Sequence, residues 1–174
     1  MTSTSSAASD VYKRQVRKVC GINPRAALSG EDILLSYART IEIGWGDCDA
    51  SGLVHTERYF ALFDANLWLM LAQILGLPMR HVLDTFGAAG FPTVDLTGKF
   101  LVPSTVGDVL EIETTILELR KSSFDVRHRA SKDGELRAES MDTRVWVRRN
   151  SDDPARIEAL PLPAKLVERF QASK

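Results

Sequence analysis

The sequence predicts an α+β domain in which an antiparallel sheet wraps around or over one buried helix. Three observations carry this. The run "YFALFDANLWLMLAQIL" is apolar nearly all round, as a helix enclosed by other structure must be. It is followed by several segments in which apolar residues alternate with period two. Between two of these, "KDGE" at 132–135 has the composition of a tight hairpin turn.

Taken in order, residues 1–36 form a leader rich in Ser and Ala, with basic residues at Lys13, Arg14, Arg17 and Lys18 and no sustained apolar period. It is expected to be disordered or only locally helical. Its "SSAASDVYKRQ" also resembles a translated adaptor remnant, and an organellar transit peptide shares its composition. The leader is read as non-native or dispensable, and the domain is taken as 37–174. From "SYARTIEIGWGD" onward, Ile41, Ile43 and Trp45 alternate with Thr40, Glu42 and Gly44, which predicts a strand. "DASG" at 49–52 is a turn in which Asp can bond its own downstream amides. Thr56 is the expected N-cap of the long helix, Glu57 suits its first turn, and Gly76 followed by Pro78 stops it. Val94, Leu96, Phe100 and Val102 predict a strand disturbed at Gly98. Further strands place Leu110, Ile112, Thr114 and Ile116 on one face, then Phe124, Val126 and His128, then Met141, Thr143, Val145 and Val147. The amphipathic "PAKLVERFQ" predicts a closing helix.

The 174 residues suffice for one domain with a real core, and 44% hydrophobic with 26% charged residues is ordinary for a soluble globular protein. A net charge of −1 argues against nucleic acid or an anionic membrane as partner, so a phosphate-bearing ligand needs a local basic cluster. The most apolar stretch, 59–77, is broken by Asp64, Asn66 and Gln73 and reads as a buried helix rather than a membrane span. Two cysteines, Cys20 and Cys48, make no disulfide framework, and no Cys/His cluster has metal-ligand spacing. The expected compartment is the cytoplasm.

The stretch "GDCDASGLVHTERYFALFD" resembles the signature of hotdog-fold acyl-CoA thioesterases, in particular the 4-hydroxybenzoyl-CoA thioesterase family. The positions that carry the resemblance are Asp47, Asp49, Gly52, Val54, Tyr59, Phe63 and Asp64, and it continues through residues 90–130. What it implies is a hotdog fold, cleavage of an acyl-CoA thioester to a carboxylate and free CoA, and no metal or cofactor. Asp49 would be the nucleophile or the general base for water. The Thr56 backbone N–H, at the helix start, would polarise the thioester carbonyl, where unpaired amides and positive potential meet developing oxyanion charge. "LRKSSF" supplies Arg120, Lys121, Ser122 and Ser123 as CoA-binding candidates, since Arg forks and Lys point charges both suit phosphate. His55, Tyr59 and Asp64 would border the acyl group, Asp64 matching a binding-face acid of the hydroxybenzoyl-CoA enzymes. The resemblance also implies a homodimer or homotetramer with sites at the subunit interface, so the basic cluster would serve a partner's Asp49.

The chain departs from that pattern at His55, Glu57 and Arg58, which border the acyl pocket. An aryl-CoA such as 4-hydroxybenzoyl-CoA is the expected substrate. A short- or medium-chain aliphatic acyl-CoA thioesterase and a non-catalytic acyl-CoA-binding module are the alternatives. Taken singly, the residues have blander readings. A lone Asp49 is a turn residue, Asp47 is structural, and Arg120 with Lys121 is a solvated turn. Cys48 with His55 as its base is disfavoured by strand parity, which points Cys48 away from Asp47 and Asp49. His81 and His128 read as isolated, a buried Asp64 needs a partner, and "WVRR" reads as a solvent-facing strand end.

Overall fold

The computed structural model describes residues 34–172. Most of the leader, including Cys20, therefore lies outside the described residues. Five strands form one antiparallel sheet in the order β1-β3-β4-β5-β2: β1 Leu35–Glu42, β2 Thr93–Phe100, β3 Val109–Leu119, β4 Ser123–Lys132 and β5 Glu135–Val145. β1 begins at Leu35, two residues before the expected domain start. The long helix α1, Thr56–Leu75, packs on the inner face of this sheet, against β1, β3 and β4. A short helix α2, Val82–Thr85, a two-stranded ribbon of β6 (Val147–Arg149) and β7 (Ile157–Ala159), and helix α3, Ala164–Gln171, complete the domain.

Period-two patterning decides which side chains meet α1. Register pairs Thr114 with His128 and His128 with Ser140, and Ile112 with Ala130 and Ala130 with Ala138, so these residues share the inner face. One core cluster joins Leu67, Met70, Leu71 and Leu75 of α1 to Ile116, Phe124, Val126, Trp146, Leu166 and Phe170. A second joins Tyr59, Leu62 and Phe63 to Ile43, Leu110, Ile112, Ala130 and Ala138. Each fully buried large apolar side chain contributes about 1.5–3 kcal/mol over its exposed state. At the helix end Gly76 adopts φ +65°, and the Leu77 amide returns to Ala72 O at 3.0 Å, as the Gly76–Pro78 stop signal requires. The hairpin turn places Asp133 and Gly134 at φ 51° and 80° between β4 and β5.

Four local expectations are corrected. Strand alternation does not reach Trp45: Asp47 Oδ2 accepts the Gly44 amide at 2.9 Å and closes a 3₁₀ turn, Trp45–Asp47, that leaves Trp45 77% exposed. The irregularity in β2 falls between Thr93 and Asp95, not at Gly98, which pairs in register with Ser140. Thr56 is the first helical residue rather than the N-cap; His55 holds that position with φ −57°, ψ 138° and no side-chain cap. In "WVRR", Trp146 and Val147 are buried and only the two arginines are exposed, because Trp146 stacks on Phe91 at 5.8 Å beneath the final strands. No single described helix is long and apolar enough to cross a membrane.

Candidate active site

Small and acidic residues between β1 and α1 fold back tightly. Asp49 N–H donates to Leu53 O at 2.8 Å and Gly52 N–H to Asp49 O at 2.9 Å. Gly52 sits at φ +81°, a conformation glycine adopts without the Cβ penalty. The turn is fastened to the rest of the domain by bridges between Cys48 and Val54 and between Leu53 and Thr105. His55 N–H donates to Asp47 O at 3.0 Å, and the Asp47 carboxylate is paired with Arg58. Arg58 was a sequence departure; here it holds the turn to the first turn of α1.

This folding brings Asp49 and Thr56 to one cleft of about 500 Å³, which His55, Tyr59, Phe100 and Pro103 also line. Asp49 Oδ1 accepts the Ser51 amide at 2.8 Å, the Ser51 hydroxyl at 2.5 Å and the Leu53 amide at 3.2 Å. Chiefly the Ser51 hydroxyl, then the Ser51 amide and after it the Leu53 amide, hold the Asp49 carboxyl below its usual range against some desolvation, so it is ionised at neutral pH. Thr56, as the first helical residue, has an amide with no intrahelical acceptor. Asp49 and the helix-start residue Thr56 thus line one cleft, and a carboxylate and an amide donor are groups that acyl transfer from a thioester can use.

The other expected site residues divide between this cleft and elsewhere. His55 lies at the cleft, half exposed, with Nδ1 3.8 Å from Glu57 Oε1. Tyr59 is buried, its ring tilted on Phe100 at 5.7 Å; burial pushes its phenol up. Its hydroxyl lies beside Ser104 Oγ without a well-aligned bond between them. Asp64 is half exposed rather than buried, with its partner supplied by Arg144 Nη1 at 2.7 Å from Oδ1. It lines a second cleft of about 220 Å³ with Phe60, Phe63, Leu96 and Ser140. Arg120, Lys121, Ser122 and Ser123 are not brought to Asp49 within the chain. The Asp49 turn is bridged to Thr105, just before β3, while the basic cluster follows the far end of that strand, about 33 Å away at 3.3 Å per residue. Arg120 is engaged by Asp125 and by Glu118 at 2.8 Å, and Ser123 is buried as the first residue of β4.

Cys48 packs with Ile43 and Val54, and desolvation, then Asp47, Asp49 and Asp108, push its thiol up, which disfavours a thiolate. His128 is not isolated: it is buried with Nδ1 2.9 Å from Thr114 Oγ1 and Nε2 3.2 Å from Asp142 Oδ1. Asp142 and Arg144 went unnoticed in the sequence, because the alternation of this strand was read on Met141, Thr143, Val145 and Val147, the opposite face of β5. Among the described residues no group of three His, Cys, Asp or Glu side chains is arranged to hold a metal ion.

Comparison with known proteins fits this geometry. The profile of the thioesterase-like superfamily matches residues 43–170, from the Asp49 turn through the sheet into α3. The 4-hydroxybenzoyl-CoA thioesterase of Pseudomonas sp. (strain CBS-3) is 31% identical over 131 residues, covering 72% of this chain and 91% of the relative. The solved structure of 4-hydroxybenzoyl-CoA thioesterase from that strain superposes with a TM-score of 0.69 at 31% identity, covering 77% of this chain and 98% of that one. A gentisyl-coenzyme A thioesterase structure matches with a TM-score of 0.64 at 29% identity, covering 77% and 98%. The profile spans most of the chain and the helix-wrapping sheet is shared with these enzymes: the chain belongs to the thioesterase-like superfamily and is a thioesterase of the hotdog fold.

Proposed function

We propose that the larger cleft hydrolyses an aryl-CoA thioester such as 4-hydroxybenzoyl-CoA, with Asp49 supplying or activating the attacking oxygen. The observation that carries this is that Asp49, its carboxyl held in the ionised form, and Thr56, the first residue of α1, line one cleft. The carboxylate attacks the thioester carbonyl carbon, or deprotonates a water that does. Charge then develops on the carbonyl oxygen, where the Thr56 N–H and the positive end of α1 stabilise it. The C–S bond breaks and the CoA sulfur leaves and takes a proton; in the water route the acid is then released directly, and in the carboxylate route water hydrolyses the acyl–aspartate anhydride to the product carboxylate and free Asp49. An aryl group fits the aromatic wall of Tyr59 and Phe100, and the relatives named above act on hydroxylated aryl-CoA esters.

CoA phosphates are assigned to Arg120, Lys121, Ser122 and Ser123 of a second copy of the chain. The separation of this cluster from Asp49 along β3 supports that reading. So does the free edge of β2, whose Leu96 and Phe100 are 46% and 44% exposed and suit pairing with another sheet. The proposed assembly is a homodimer or homotetramer in the cytoplasm.

The test is thiol release from 4-hydroxybenzoyl-, benzoyl- and butyryl-CoA by wild type and by Asp49→Asn, with folding of both checked by circular dichroism. Release from the aryl esters that collapses in the folded variant is expected. A preference for butyryl-CoA would move the substrate to the aliphatic class. Tight binding with no thiol release would make this a binding module.

A further inference from the structure

The residues in which this chain departs from the family pattern at the helix start are paired locally. Arg58 holds the Asp47 carboxylate, and His55 Nδ1 stands 3.8 Å from Glu57 Oε1. His55 occupies the N-cap of α1 without a side-chain cap bond, so its imidazole is not spent on the helix end. Its backbone N–H, given to Asp47 O at 3.0 Å, fixes it beside the Asp49 turn. The ring lines the larger cleft with Asp49 and is 45% exposed. Among the described residues its Nε2 has no hydrogen-bond or ion-pair partner. Its charge also reaches Asp49: behind the two Ser51 bonds and the Leu53 amide, it adds to the forces that hold that carboxyl down.

Asp49 and Thr56 offer an attacking or activating oxygen and an oxyanion donor, but the sulfur that leaves also needs a proton. An imidazolium ordinarily releases its proton near about pH 6.5 and a thiol near about 8.5, so transfer from one to the other runs downhill. The described lining of the cleft holds no comparable source. Asp49 and Glu57 are carboxyl groups, and burial pushes the Tyr59 phenol up; apart from the Thr56 hydroxyl, the other lining side chains are apolar. Position agrees with this chemistry. Tyr59 is buried and lies one turn further into α1 than His55. An acyl ring against Tyr59 and Phe100, with its carbonyl oxygen at the Thr56 amide, leaves the sulfur on the open side of the cleft. There the rest of CoA must reach solvent, and there the half-exposed His55 stands.

Resting on the acyl-CoA reading above, we propose that His55 is a catalytic residue of the larger cleft: as the imidazolium it gives its Nε2 proton to the CoA sulfur while the C–S bond breaks. The electron pair of that bond passes to sulfur, which leaves as the thiol. In the water route the imidazole is recharged by the proton that Asp49 took from water. In the carboxylate route it is recharged by the water that opens the acyl–aspartate anhydride. Either way one thioester and one water become a carboxylate, a thiol and a proton released to solvent. The charged groups around the ring are Asp49 in the turn, Glu57 on α1 and the Asp47–Arg58 pair. The segment 100–103, which also lines the cleft, carries none.

The experiment measures kcat for 4-hydroxybenzoyl-CoA and for the thiophenyl ester of 4-hydroxybenzoate between about pH 5 and 9 in wild type, His55→Gln and His55→Ala. Folding is checked by circular dichroism. Thiophenolate leaves without a proton, so the second ester bypasses the acid. On the CoA ester, wild-type kcat is expected to fall as pH rises through the imidazole range. His55→Gln is expected to lose that limb and about a hundredfold in kcat at pH 7, the low end for a general acid because a thiolate is already a fair leaving group. The thiophenyl ester should lose far less, and added imidazole should restore part of the loss in His55→Ala. Equal losses on the two esters, or a wild-type rate in His55→Gln, would overturn the proposal. Should wild type cleave the CoA ester alone, the alkaline limb and the imidazole rescue decide, and absence of both would overturn it. If wild type cleaves butyryl-CoA but no aryl ester, the aryl reading fails by itself, and butyryl-CoA against the thiophenyl ester of butyrate judges His55 in the same way. If it cleaves no thioester, the His55 assignment falls with the activity.

Discussion

Asp49 and Ser51 are bound twice: Oδ1 of the carboxylate accepts both the amide of Ser51, at 2.8 Å, and its hydroxyl, at 2.5 Å. These bonds favour the charged form, and the Asp49 carboxyl is held below its ordinary range. In the proposed reaction the ionised Asp49 is the form that acts, so activity is expected to be lost as pH falls through that lowered value, below about 3.9. Ser51→Ala removes the hydroxyl bond and leaves the amide bonds. The acid limb of the kcat/KM–pH profile is expected to move upward, toward the ordinary aspartate range. An unmoved limb would place the titrating group elsewhere.

Asp142 gives a different pH signature because it is buried. Desolvation raises its carboxyl, but the His128 ring 3.2 Å away and the Arg144 charge outweigh this and the net shift is downward. A carboxyl whose folded value lies below its unfolded one stabilises the fold fully above the unfolded value, about 3.9, and loses that contribution as pH falls through the folded one. Asp142→Asn should therefore cost on the order of 1–3 kcal/mol at pH 7. In urea titrations the gap to wild type should narrow as pH is lowered from 5 toward 3. A gap independent of pH would mean that packing, not charge, makes the difference.

Gly52 and Gly134 share a backbone conformation, φ +81° and +80°, and each would give an added Cβ open space. Replacing either by alanine should cost roughly 1–2 kcal/mol from the left-handed backbone alone. Only Gly52 shapes the Asp49 turn; Gly134 closes a hairpin between β4 and β5. Gly52→Ala is expected to lose thiol-release activity well beyond its stability loss, and Gly134→Ala to lose stability alone. Equal activity in the two variants would separate the turn from the chemistry.

The turn and helix start that line the candidate cleft were legible in the sequence because they are local; reading them as a site came from the family resemblance. Asp49, Gly52 and Thr56 lie within one turn and one helix start, where side-chain chemistry fixes geometry over a few residues. Trp45 misled because a single capping bond from Asp47 ended the strand alternation that an apolar count alone extended. The second cleft was hidden for a different reason. Asp64 and Arg144 are 80 residues apart, and His128 meets Asp142 only through the register of β4 on β5. Asp64 stands on α1, and the alternation in β5 was read on Met141, Thr143 and Val145, the face opposite Asp142 and Arg144; which side chains stand opposite one another also depends on bulges such as that between Ile116 and Glu118, which no residue pattern announces. Arg120 shows the converse: its residue type fitted phosphate, and only the fold revealed how far along β3 it stands from Asp49.

Gly98 lies against Phe60 and Phe100, which line different clefts. A Cβ there would stand 3.1 Å from Phe60 Cζ and 3.3 Å from Cε1, tighter than ordinary contact but against the end of a side chain rather than backbone. Phe60 is partly exposed and packs edge-on against Phe100 at 5.7 Å, so its ring can yield by a few tenths of an ångström. Alanine also restricts the unfolded chain more than glycine, a gain of about 0.4–1 kcal/mol where the backbone is compatible, as it is in this in-register strand. These effects oppose one another, so Gly98→Ala should leave the melting temperature close to wild type. The ring it displaces walls the smaller cleft, and its partner Phe100 walls the larger. Affinity for an acyl ring lying between them should weaken, raising KM for 4-hydroxybenzoyl-CoA several-fold, with kcat less affected because Asp49 and Thr56 do not move. Gly98→Val adds two methyl groups at the same contact and should destabilise the fold as well. Unchanged KM in a folded Gly98→Ala would show that the acyl group does not pass between Phe60 and Phe100, and would detach the smaller cleft from the reaction.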